Sequence, residues 1–112
     1  MSYNSKYTGQ QVENLLERYK VVSHGTKDTT FALTPNILHV WDAVSSLNIT
    51  LAAESEGIIN EYMFQFTSGP TATTLSLPDT IKWVSEPNIE SNMIYQCSII
   101  NNVGVIAAAN IE

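Results

Sequence analysis

The side chains that could take part in chemistry are few and scattered. His24 stands in a Ser-His-Gly segment, and His39 in the run Ile37-Leu38-His39-Val40-Trp41. Neither reads as part of a zinc-binding motif, so a metal site would have to be gathered from distant residues, and both are assigned hydrogen-bonded structural roles. Cys97 lies in Tyr95-Gln96-Cys97-Ser98 and alternates onto the side of Tyr95 and Ile99. It is expected to be a small buried hydrophobe, because a nucleophilic thiolate needs an activating base nearby. As the single cysteine it also excludes an internal disulfide and any multi-cysteine metal site. Glu54 and Glu56 flank Ser55 in an acidic loop with fewer oxygen ligands than a calcium loop supplies, so solvation is the expected role. The glycines are isolated, form no phosphate-binding loop, and read as turns or caps. No acid, base and nucleophile come together, which predicts a protein that binds or builds, with no catalytic, cofactor or metal residues. Trp41 and Trp83 are the candidate ligand residues, since an indole face can stack on a sugar ring; the competing expectation is that both anchor the core.

The scaffold that must position these residues is small. A chain of 112 residues has the size of one domain, and it can bury a core without metal or disulfide support. No apolar run approaches the ~20 residues of a membrane-spanning helix, so no membrane insertion is expected. The opening Met1-Ser2-Tyr3-Asn4-Ser5-Lys6 is polar and carries no apolar signal core, which predicts folding in the cytoplasm. A net charge of −6 argues against nucleic acid, whose binding depends on clustered Lys and Arg. The charge is also uneven. Lys6, Arg18, Lys20 and Lys27 outnumber Glu13 and Glu17 in residues 1–27, whereas from Asp28 onward nine acidic residues face Lys82 alone.

Local signals divide the chain into the same two parts. Thr8 is placed as an N-cap, Gln11 completes a capping box, and Tyr7 and Val12 form a hydrophobic staple. Val12, Leu15, Leu16 and Tyr19 then follow helical spacing, predicting a helix from about Gly9 to Lys20. So short a helix is marginal alone, and its stripe must pack on its own domain or on copies of itself. After Lys27 the apolar period changes to two, through Phe31/Leu33, Leu47/Ile49/Leu51, Tyr62/Phe64/Phe66, Leu75/Leu77 and Tyr95/Cys97/Ile99. About eight short strands separated by turn signals predict a mainly β fold: an antiparallel β-sandwich or jelly-roll-like domain over 28–112, preceded by one short N-terminal α-helix in an attachment or oligomerisation segment over 1–27.

Two stretches resemble a known group. Lys6-Tyr7-Thr8-Gly9-Gln10-Gln11-Val12-Glu13-Asn14-Leu15-Leu16 resembles the helix that opens many phage virion appendage proteins of the head-fibre and tail-fibre type. Ile59 to Gly69, followed by Leu75 to Trp83, is similar to a β domain of phage and prophage structural proteins from gut Bacteroidetes. The resemblance implies a homotrimeric virion surface or fibre component, made in the bacterial host cytoplasm and acting in assembly or host attachment. Its partners would be other virion proteins or a host surface glycan, with Val12, Leu15, Leu16 and Tyr19 as the oligomerisation or docking stripe. The chain departs from a full fibre in having no long shaft. The alternative is a monomeric carbohydrate-binding or adhesin module that uses exposed aromatics.

Overall fold

The structure, a computed structural model, describes residues 20–111. The expected helix and its stripe Val12, Leu15, Leu16 and Tyr19 lie outside the described residues, Lys20 excepted.

Strands β1 (Val21–His24), β2 (Thr30–Leu33), β3 (Leu38–Ala43), β4 (Ser46–Leu51), β5 (Glu61–Ser68), β6 (Thr74–Ser76), β7 (Lys82–Trp83), β8 (Met93–Ile100) and β9 (Val103–Asn110) make up two sheets. The larger has the order β1-β3-β5-β8-β9-β7, the smaller β2-β4-β6. The fold is mainly β, as expected, but it is not an antiparallel sandwich or jelly roll. β1, β3 and β5 run parallel, as do β2, β4 and β6. The chain crosses from one sheet to the other and back, so that β1–β2, β3–β4 and β5–β6 are successive rungs of a short solenoid. Only β5–β8 and β8–β9 pair antiparallel, closing the larger sheet beyond the last rung. The expectation failed because alternation of period two marks a strand with one buried face and says nothing about its direction. The rung spacing is also irregular: Val21 pairs with Leu38, and Leu38 with Met63, which lies farther along because the loop over 52–60 intervenes. β1 belongs to the larger sheet, so the β domain begins ahead of residue 28, within the segment assigned to attachment.

Burial follows the alternation. β5 buries Tyr62, Phe64, Phe66 and Ser68 and leaves the residues between them half-covered. Facing them are Leu33, Leu47 and Ile49 of the smaller sheet, with Trp41, Tyr95, Cys97 and Ile99 beside them in the larger. Phe66 stacks on Phe64 and on Tyr95, with ring centroids 6.0 and 5.3 Å apart. Each of these large side chains contributes about 1.5–3 kcal/mol by leaving water.

The corners between sheets are fastened by buried polar side chains that satisfy backbone groups where the ladders stop. Asn36 donates to the Ile59 carbonyl and accepts from the Glu61 amide, tying the second rung to the third. Its φ of 65° is one that asparagine tolerates better than most residues. Asn60 pins the loop over 52–60 by bonding both the amide and the carbonyl of Ser55. Thr73 donates to the Val44 carbonyl at 2.6 Å. Asn101 and Asn102, both at positive φ, make the two-residue turn that joins β8 to β9.

Candidate functional site

The densest polar chemistry among the described residues is a chain of four side chains at the first rung. His24 ends β1 and points between the sheets. His39, on β3, pairs with Val22, two register steps from the His24–Trp41 pair and so on the same face as His24. Asp28 lies in the turn after β1, and Thr34 follows β2. Asp28 Oδ2 is 2.7 Å from His24 Nδ1, His24 Nε2 is 2.8 Å from His39 Nδ1, and His39 Nε2 is 2.9 Å from Thr34 Oγ1. A carboxylate accepts, so His24 presents Nδ1–H to Asp28. In the tautomer of His24 protonated at Nδ1 alone, Nε2 accepts from Nδ1–H of His39, whose Nε2 then accepts from the Thr34 hydroxyl.

Its surroundings are aromatic. His24 stacks on Trp41 with centroids 4.3 Å apart and planes 14° from parallel, and Phe31 covers its other side at 4.4 Å. Trp41 Nε1 donates to the Asp28 carbonyl at 2.6 Å, which holds the turn that carries the carboxylate. Burial first, and the adjacent His24 second, lower the His39 pKa to about 4, against an upward pull from the Thr34 backbone. His39 is therefore neutral at neutral pH.

Comparison with known proteins gives no match. No family model fits the chain, and neither a curated protein nor a solved structure was found to match it. Function must therefore be argued from the site.

A carboxylate–imidazole–imidazole–hydroxyl chain could in principle draw a proton from a hydroxyl. To serve as a nucleophile, Thr34 would also need to border a substrate groove with donors for developing charge. Among the described residues, grooves include the following four. One lies among Leu51, Glu54, Tyr62 and Asn102, a second beside Leu77, Asp79 and Trp83, a third over Leu38, Met63 and Val105, and a fourth along the loop from Glu54 to Asn60. None of these four includes Thr34, His24 or His39. The chain instead spans β1, its turn, the end of β2 and β3, which fastens the first rung to the second.

The other predicted residues fall apart from this chain. Trp41 is 1% exposed and belongs to the core, so it offers no face to a ligand. Trp83 is half-buried and lines a groove with Asp79 and Glu86, across the molecule from the histidines. Its ring lies over Gly104, where a Cβ would come within 2.6 Å of Trp83 Cζ3. Gly104 is thus a mid-strand close approach, not the turn or cap expected of it. Cys97 is buried, and burial raises its thiol pKa to about 12. Glu54 and Glu56 are exposed, and among the described residues no group of three potential ligands is arranged to hold a metal ion. The sequence reading missed Asp28, Phe31 and Thr34. The His24-x-x-x-Asp28 spacing was a usable signal for the first of them, but nothing local announces the contact of His24 with His39, which depends on parallel pairing of β1 with β3.

Proposed function

We propose that this chain is a non-enzymatic structural protein that assembles with copies of itself, in the manner of a homotrimeric virion surface or fibre component. The observation that carries this reading is the open first edge of the larger sheet, whose far side alone is continued beyond the last rung, while the smaller sheet ends on β2 and on β6. Beyond the last rung, β8 and β9 turn back antiparallel and, with the short β7 at the edge, extend the larger sheet past β5. At the first rung, among the described residues, no strand pairs with the outer edge of β1 or of β2. Repeating rungs need their terminal edges covered, and an open edge invites further strands or another subunit. A larger sheet extended past the last rung and open where the N-terminal segment enters suits a terminal module mounted on a larger assembly. The acidic body and mildly basic front fit the same polarity.

Sedimentation velocity of the full chain at micromolar concentration tests this reading. A species of about three chain masses is expected, and a monomer across that range would sink it.

A further inference from the structure

The outer face of the larger sheet is the surface on which the molecule departs furthest from an ordinary solvated sheet. Strand pairing sets its side chains in rows across the strands. One row reads Val21, Leu38, Met63, Ser98, Val105, and the next Ser23, Val40, Gln65, Gln96, Ala107. Thr67, Ile94 and Ala109 make a third, while Glu61, Ile100, Val103 and Lys82 make the row at the opposite margin. Alternation normally gives such a face to charged and hydroxyl side chains. Here Val21 is 62% exposed, Val105 49%, Val103 45% and Ile100 43%. A shallow groove over Leu38, Met63, Val105 and Ala107 crosses its middle.

The polar groups on this face are largely turned to one another. Gln96 Nε2 donates to Gln65 Oε1 at 2.6 Å, and Ser98 Oγ donates to Glu61 Oε2 at 2.5 Å. Covering the face therefore leaves few unsatisfied polar groups behind. Glu61 and Lys82 stand at opposite ends of one row with Ile100 and Val103 between them, and exposed Asp42, at the irregularity of β3 between Trp41 and Ala43, adds a carboxylate beside the third row.

We propose that this face is the interface between copies of this chain, an inference that rests on the assembly reading above. Three features select a second copy as the occupant. The six strands hold 4, 6, 8, 8, 8 and 2 residues, which at ~3.3 Å along and ~4.8 Å across give a footprint of about 570 Å2, close to the ~600 Å2 per partner at the lower end of specific interfaces. The ends of the charged row are complementary to each other, so rotation of one copy against the next brings Glu61 of each toward Lys82 of its neighbour. The remaining surface is acidic, which disfavours approach of like copies more strongly elsewhere than on this sparsely charged face.

The test uses the full chain, with far-UV circular dichroism confirming that each variant folds. Val105→Lys is expected to weaken self-association at least tenfold in sedimentation equilibrium. Glu61→Lys and Lys82→Glu should each weaken it several-fold, and the double variant, which restores opposite charges across the contact, should recover most of the loss. A wild-type oligomer that Val105→Lys leaves intact would overturn the interface while the assembly reading stands. A wild-type monomer overturns both, including the case in which residues 1–19 cover the face within one chain. Failure of the double variant to recover association would overturn the pairing of Glu61 with Lys82.

Discussion

An imidazole that stays neutral can be buried at modest cost, and His39 is held in that state by its surroundings. Its pKa of about 4 in the folded protein lies below the ordinary value of 6.5 expected once unfolded. Between these values the unfolded chain takes up a proton that the folded chain does not. Stability from this residue is therefore complete above about pH 6.5, declines as pH falls, and levels off below about pH 4. After allowance for screening the loss is about 2 kcal/mol. Urea midpoints measured from pH 7.5 to 4 should fall across that window in the wild type and fall less in His39→Phe. Equal slopes would remove His39 as the cause. The sequence made part of this legible, since a histidine between Leu38 and Val40 in an alternating strand must meet a polar partner if its face is buried. Which partner it meets was hidden, because His24 and Thr34 reach it only through the parallel rung geometry.

At the level of elements, the strands could be read from the sequence and their connections could not. The alternation in Tyr62-Met63-Phe64-Gln65-Phe66 marks β5 and its buried face, and the Asn101-Asn102 pair marks a two-residue hairpin because both residues accept positive φ. Elsewhere a solenoid corner uses the same Gly, Pro, Asn and Ser as a hairpin turn, so Pro35-Asn36 reads alike whether the chain doubles back or passes to the other sheet. Gly104 shows the same ambiguity inside a strand. It reads as a turn or cap, yet it sits in β9, where the Trp83 ring lies across it. Gly104→Ala would place a methyl group 2.6–2.9 Å from Trp83 and Ile81 atoms. Overpacking of this kind costs about 1–3 kcal/mol. A lower thermal midpoint with a red-shifted tryptophan emission is expected, reporting Trp83 displaced from β9. An unchanged emission maximum would mean that the strand yields instead.

Over the whole molecule, an acidic chain that associates through a sparsely charged face must overcome its own net charge. With −6 on each copy and centres ~30 Å apart, repulsion in water is about 5 kcal/mol before screening. Screening removes most of it at 0.15 M ionic strength, where the Debye length is ~8 Å, but only part at 0.01 M, where it is ~30 Å. The Glu61–Lys82 contacts respond in the opposite sense, yet exposed pairs contribute only ~0–1 kcal/mol each. Net repulsion dominates, so raising ionic strength from 0.01 to 0.15 M should tighten self-association roughly tenfold, as read by sedimentation equilibrium at pH 7.5. Assembly led by charge, such as the basic front of one chain docking on the acidic body of another, would weaken over the same range. The sign of the salt dependence therefore separates a sheet-face interface from attachment through the N-terminal segment.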